Sequence, residues 1–372
     1  MMRFRSKAAA AVGVFLLLAA CAAGGAGWRA ETLNKKETPP IARTLERLVD
    51  ETGFDGVVLV AANGAPALKK GYGLADKSWG VPNTPDVRFQ IASLSKTFTA
   101  ALALRLAEDG VFSLDATLND LLPSYPAPYA DEVTLRQLLL HTSGIPHYID
   151  LPGWFDGAYL APRPTEAFLD AIAALPLKAE PGAQYRYSNA NYFLIGLIIE
   201  RATGKPFETV LAEIILEPLG LKDTGHFANS AVIEKLAQNY IRNDDGLLEK
   251  APPINADLFL ATAYLYSTVE DLFRWRQALF EGDLLSAESR AVMFDPAAPI
   301  AWTASRVDIN GDGRKSALWS YNGEINGYTS MIVFAPDAND IVILLNNNNA
   351  GFEALQRMSR SLLGALADAR GA

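Results

Sequence analysis

The 372-residue sequence holds a single cysteine, Cys21, and only three histidines, His141, His147 and His226. One cysteine excludes an internal disulfide, so stability must come from the size of the core. Three histidines without an H-E-x-x-H pattern give poor material for a metal site. His141, Ser143 and His147 fall in a turn after a helix, and His226 in a loop, where structural roles are expected and no metal is implied. Positive charge is short as well. The 33 Lys and Arg stand against 42 Asp and Glu, a net −9, and no basic stripe interrupts that balance, which excludes the usual nucleic-acid-binding classes. No G-x-S-x-G occurs, so a nucleophile elbow of the α/β-hydrolase kind is unsupported.

What is present begins at the N-terminus. Arg3, Arg5 and Lys7 precede an apolar run from Ala8 to Ala20, too short to span a membrane comfortably. Residues 1–20 therefore read as a signal peptide. Leu18-Ala19-Ala20-Cys21 resembles a bacterial lipobox, in which the cysteine is lipidated and becomes the new N-terminus. Plain secretory cleavage nearby is the alternative, because small residues continue through Ala26. Both readings expect an extracytoplasmic protein of the bacterial cell envelope, facing the periplasm, that meets the membrane only through a lipid on Cys21. Residues 21–38, small and polar, read as a tether.

Half of the residues are hydrophobic and a fifth are charged, enough for one large core or two domains. Ile41–Val49 has helical apolar spacing after Pro39-Pro40. A β-branched run at 56–62, the pair Asn63-Gly64 and a return at 67–73 predict a hairpin. From Gly110 to about Pro299 the pattern is mainly helical, with helices at 135–141, 192–203, 207–216 and 269–280. Beyond Pro299 short strands are expected at 302–309, 318–321, 328–335 and 341–346, then a helix at 352–366. The economical architecture is α/β (α+β): residues 39–92 and 300–372 form one discontinuous domain, and 93–299 a mainly helical domain inserted into it. Asp308-Ile309-Asn310-Gly311-Asp312-Gly313 has the opening of a calcium loop, but Trp319 stands at its twelfth position, so a hairpin turn is expected.

The chemistry centres on Gln90-Ile91-Ala92-Ser93-Leu94-Ser95-Lys96, at the head of a long apolar helix. Three residues apart on a helix, Ser93 and Lys96 share a face. A serine hydroxyl needs a base, and a lysine serves once burial lowers its pKa. The helix start also offers free N–H groups to developing negative charge. A four-residue S-x-x-K is commonplace, and its weight comes from its company. Tyr187-Ser188-Asn189 is the second constellation: in an extended loop Tyr187 and Asn189 face one side, though Ser188 or Asn189 could equally cap the following helix. The third is Tyr321-Asn322-Gly323-Glu324, whose glycine lets a strand edge approach a ligand and whose backbone N–H near Glu324 could pair with that of Ser93 as an oxyanion hole; a plain hairpin is the other reading. Tyr148, Trp154 and Tyr264 are candidates for a pocket wall or for core.

Together these motifs resemble the serine β-lactamase and penicillin-binding protein family. Tyr187-x-Asn189 and Leu138–Pro146 resemble the branch of class C β-lactamases, DD-peptidases and carboxylesterases, over residues 40–368. The resemblance implies a β-lactamase-like fold, with an antiparallel sheet flanked by the terminal helices. It implies an acyl-enzyme on Ser93, general-base work by Lys96 and Tyr187, and Asn189 holding the array. Tyr321, Asn322, Gly323, Glu324 and Tyr148 would meet the substrate, a small ester, amide or peptide, with no cofactor. One departure stands out. The family begins its third motif with Lys or His, and here Tyr321 takes that place, neutral near pH 7, with Glu324 where a small residue is usual. Weak β-lactam hydrolysis at most, and a lean towards neutral or amine-bearing esters and amides, is the expectation. A membrane-anchored sensor with little turnover is the alternative.

Overall fold

A computed structural model describes residues 40–158, 160, 165–243 and 245–371; the expected signal peptide, Cys21 and the expected tether lie outside the described residues. Five helices position the site: α1 (Pro40–Asp50), α2 (Ser95–Glu108), α3 (Asn189–Thr203), α4 (Val269–Phe280) and α5 (Phe352–Gly371). The main sheet takes β1 (Gly56–Ala62) and β2 (Ala65–Tyr72) from the front of the chain. Its other four strands, β3 (Thr303–Asp308), β4 (Lys315–Ile325), β5 (Tyr328–Ala335) and β6 (Asp340–Asn346), come from the end. The order is β3-β4-β5-β6-β1-β2, antiparallel throughout, with Val58 of β1 opposite Leu344 of β6.

Asn63 and Gly64 make the β1–β2 turn with φ of 50° and 75°, the left-handed pair that an Asn-Gly hairpin favours. Alternate residues of β1 then serve two cores. Val58 and Val60 pack with Leu45 and Val49 of α1 and Leu355, Leu362 and Leu366 of α5. Val57, Leu59 and Ala61 face the other way, into the large cluster that holds Phe98 of α2 and Leu272 and Trp275 of α4. Both faces of the sheet are therefore covered, which explains why the sequence of β1, β5 and β6 is apolar without a clear two-residue rhythm.

Several expectations shift. The middle of the chain also contains short strands: Phe89–Gln90, Leu265–Ser267 and Gly225–His226 form a three-stranded sheet, and Tyr240–Arg242 pairs with Leu248–Lys250. Runs of two or three residues carry no readable period. The helix expected at 135–141 stops at Leu139, because His141 takes φ 56°. β4 is longer than 318–321 and carries the whole third motif to Ile325. The Asp308 segment is a turn whose carboxylate accepts the N–H groups of Gly311 (2.8 Å) and Gly313 (2.9 Å).

Candidate active site

α2 is buried on nearly every side from Ser95 to Leu106, so it runs through the core instead of lying on it. Phe98 stacks on Trp275 with centroids 4.0 Å apart, and Trp275 Nε1 donates to Thr97 Oγ1 at 3.0 Å. The tight turn Ala92–Leu94 delivers the chain into this helix and sets Ser93 at its mouth. Ala92 sits at φ 49°, a conformation that non-glycine residues hold only when their surroundings enforce it. Here the N–H of Ile91 donates to the Leu265 carbonyl (2.9 Å), and the Ile91 carbonyl accepts from Ser330 Oγ (2.7 Å). The N–H of Leu265 returns to Ser95 Oγ at 3.2 Å.

Lys96 is fully buried one turn on. Its Nζ lies 3.1 Å from Ser93 Oγ and donates to the carbonyl of Thr262 at 2.8 Å. Burial, with no carboxylate among the described residues offsetting it, holds the amine well below the ordinary lysine range. On the other side of Ser93 Oγ, at 2.8 Å, is the hydroxyl of Tyr187. That hydroxyl donates to Asn189 Oδ1 at 3.0 Å. Tyr187 is 38% exposed as a residue, while its oxygen faces Ser93 and Asn189. Burial of that oxygen pushes the phenol above the usual tyrosine range, the bond to Ser93 opposing the shift. Burial thus favours the uncharged form of both the amine and the phenol on either side of one hydroxyl.

Tyr187 and Asn189 are held by the segment His141-Thr142-Ser143-Gly144. His141, 3% exposed, accepts the Ser188 N–H at Nδ1 (3.2 Å), with Asn191 Nδ2 at the same distance from that nitrogen. Its carbonyl accepts the Arg186 N–H at 2.7 Å, and its ring lies 4.6 Å from that of Tyr187, centroid to centroid. An accepting Nδ1 requires the neutral ring with its proton on Nε2, which has no partner among the described residues. Burial keeps the His141 pKa well below normal. Ser143 Oγ donates to Asn191 Oδ1 at 2.7 Å. Gly144 is obligatory: at φ 75°, a Cβ would sit 2.0 Å from the Ala179 carbonyl oxygen.

The third wall is β4. Its last rung with β3 is Ser320 opposite Thr303, so from Tyr321 to Ile325 that edge is free of a strand partner and lies against the Ser93 turn. A Cβ on Gly323 would fall 2.2 Å from the Ile91 carbonyl oxygen and 2.8 Å from the Ser93 amide nitrogen, a distance that only glycine allows. Glu324 follows with an exposed side chain, and Tyr321 and Asn322 are half-buried.

The structure thus brings Ser93, Lys96, Tyr187, Asn189, Tyr321 and Gly323 together. Tyr148 it places elsewhere than on a pocket wall: it is fully buried, its hydroxyl 3.4 Å from Thr262 Oγ1. Trp154 and Tyr264 are likewise core residues. Ser188 occupies the cap position of α3 without capping it, because its hydroxyl donates to the Pro146 carbonyl (3.0 Å). Sequence reasoning missed the Thr262 carbonyl that orients Lys96 and the part played by His141, Ser143 and Asn191. A backbone acceptor leaves no trace in residue type. His141-x-Ser143-Gly144 was visible as a motif, but its bonds to residues some fifty positions away were not.

Comparison with known proteins agrees with this geometry. The family model described as Beta-lactamase matches residues 41–366. Penicillin-binding protein 4* of Bacillus subtilis (strain 168) is 27% identical over 341 residues, 85% of this chain and 73% of that protein. Esterase EstB of Burkholderia gladioli is 34% identical over 196 residues, 50% of this chain and 49% of the esterase. Among solved structures, the D-amino acid amidase from Ochrobactrum anthropi SV3, complexed with D-phenylalanine, superposes with a TM-score of 0.73 at 26% identity. It covers 88% of this chain and 98% of its own. The chain belongs to the Beta-lactamase family and is a serine hydrolase of that fold.

Proposed function

We propose that the protein is an extracytoplasmic serine hydrolase that opens small neutral or amine-bearing esters and amides through an acyl-enzyme on Ser93. The observation that carries this reading is the position of Ser93 Oγ, 3.1 Å from a buried lysine amine and 2.8 Å from the Tyr187 phenol. Neutral Lys96 takes the hydroxyl proton as Ser93 Oγ forms a bond to the substrate carbonyl carbon. The carbonyl oxygen, now negative, is held by the N–H of Ser93 and, from the free edge of β4, that of Glu324. Tyr187 gives its proton to the departing oxygen or nitrogen as that bond breaks, and is reprotonated from Lys96. Water then attacks the acyl group with the same residues working in reverse, and the acid leaves.

The substrate class follows from the third motif. With Tyr321 in place of a cation and Glu324 at the rim, a substrate carboxylate finds no positive partner in the Tyr321–Glu324 motif. A neutral carbonyl compound suits it better, as does one bearing an ammonium that Glu324 would read; the esterase and amidase relatives support that direction. Signal cleavage before Cys21 and lipidation there would tether the enzyme to the envelope. Reaction with a fluorescent phosphonate, followed by peptide mass spectrometry and turnover assays, tests the proposal: label on Ser93 with ester turnover supports it. Label without turnover indicates a sensor instead. Steady-state rates on a neutral aryl ester and a cephalosporin test the substrate class, and a strong preference for the cephalosporin overturns it.

A further inference from the structure

Burial strips Lys96 of its charge, yet the reaction returns that charge to the same buried place. As the Ser93 Oγ–H bond breaks and an Nζ–H bond forms, an ammonium appears inside the core. Lys96 is fully buried and hydrogen-bonds two oxygens, Ser93 Oγ at 3.1 Å and the Thr262 carbonyl at 2.8 Å. An ammonium carries three donors, and among the described residues no third acceptor and no carboxylate meets it. A buried cation without a counter-charge is costly, and here the cost falls on the transition state.

Two ring faces also meet the amine. Lys96 Nζ stands over the ring of Tyr187, 5.1 Å from its centroid, and over that of Tyr192 at 5.7 Å. Both lie within the ~6 Å over which a ring face attracts a cation, and exclusion of water strengthens the attraction. Tyr192 follows Asn189 by one turn of α3, so the amide that fixes Tyr187 and this second ring share a helix face. It is fully buried, and its hydroxyl donates to the Leu139 carbonyl at 3.1 Å. The His141 ring stands against both tyrosines, 4.6 Å from Tyr187 and 5.1 Å from Tyr192, centroid to centroid.

The other titratable groups around Lys96 supply no negative charge. Burial keeps His141 and His147 neutral at neutral pH, and a proton on either would oppose one on Lys96. The phenols of Tyr148, Tyr185, Tyr187, Tyr192 and Tyr321 stay protonated, each pushed above the usual tyrosine range by burial. We infer that Tyr192 is a positioning residue of the reaction, its ring face steadying the ammonium that forms on Lys96 in place of a carboxylate. The inference rests on the acyl-enzyme reading above and adds to it the group that sets the strength of the base. Favouring the charged form raises the proton affinity of Lys96 against the pull of burial. Lys96 is then a stronger base than an amine equally deep in an aliphatic pocket.

The test keeps the shape of the ring and changes its electrostatics. Phenylalanine and its 4-fluoro, 3,5-difluoro and pentafluoro derivatives are placed at position 192 of the full protein, and kcat and kcat/KM for 4-nitrophenyl acetate are followed against pH. Tyr192→Phe keeps the ring face and loses only the bond to Leu139, so the acid limb of kcat/KM should stay near its wild-type position. Each step of fluorination draws electron density from the face, so Lys96 holds its proton less tightly and the limb moves to lower pH. The pentafluoro ring should move it by about one pH unit, tenfold in proton affinity. The plateau in kcat should fall in the same order, because the base weakens. A purely structural role predicts no such order. A limb that stays put or moves upward through the series, while Ser93 is still acylated, overturns the inference and leaves the hydrolase reading standing. Where the urea midpoint shows that the pentafluoro ring disturbs folding, the 4-fluoro and 3,5-difluoro variants decide by the same trend. Absence of acylation of Ser93 in the wild type overturns the hydrolase reading and this inference with it.

Discussion

At the scale of residues, the site is a contest between solvation and proton transfer that burial decides. Lys96 has no acid beside it, so its neutral form is favoured, and Tyr187 is held as the phenol. In the proposed mechanism the active state has Lys96 deprotonated and Tyr187 protonated. The kcat/KM profile should rise with pH through one ionisation well below the ordinary lysine range, then hold a plateau until Tyr187 ionises above its usual value. Lys96→Arg, which cannot lose its charge, should cost about a thousandfold, and Tyr187→Phe about a hundredfold; steady-state ester kinetics measure both. Tyr321→Lys makes the opposite wager. Restoring a cation to the third motif should raise kcat/KM on a cephalosporin by about tenfold relative to a neutral ester. An unchanged ratio would show that Tyr321 does not govern carboxylate recognition.

At the scale of elements, three pieces of backbone meet around one oxygen, and each is held by bonds outside itself. The Ser93 turn leans on the 265–267 strand and on Ser330; the Tyr187 loop leans on His141. His141→Ala should lower kcat about tenfold with little change in KM, because it loosens the proton donor without touching substrate. His141→Asn keeps an acceptor near the position of Nδ1 and tolerates φ 56°, so it should restore most of the loss. The same ring bears on acid stability. It stays neutral in the folded protein, whereas an unfolded histidine takes a proton near pH 6.5, so stability is lost as pH falls below that value. Urea midpoints at pH 7.5 and 5.0 should diverge less in His141→Asn than in the wild type. What could be read from sequence at this scale was the strong local pattern: Asn63-Gly64, the long apolar α2, Gly204 closing α3. The two-residue strands and the early end of the 135–139 helix escaped because long-range pairing and one left-handed residue set them.

At the scale of the whole molecule, the first strand of the chain pairs with the last, and the helices at the two termini share one core. Motif order, with Ser93-x-x-Lys96 early, Tyr187-x-Asn189 in the middle and Gly323 late, already implied that distant segments converge. The free edge of β4 beyond Ser320 and the Thr262 carbonyl needed coordinates, since each depends on a register or a backbone direction. The closure of the chain has an identifiable clasp. Arg370 at the end of α5 donates twice to the buried carboxylate of Asp340 at the start of β6, at 2.7 and 2.9 Å. Arg370→Met should cost about 2 kcal/mol, discounted for the partial exposure of the arginine, by leaving that carboxylate poorly paired. A lower urea midpoint with unchanged slope and unchanged ester kinetics would confirm a purely structural clasp.

The central claim is that Ser93 becomes acylated because Lys96 and Tyr187 meet at its oxygen, and rapid-quench mass spectrometry during hydrolysis of a neutral aryl ester tests it most directly. The account predicts a transient acyl adduct on the peptide containing Ser93, absent in Ser93→Ala, which should also lose ester turnover. An adduct on another residue, or full turnover by Ser93→Ala, would contradict it.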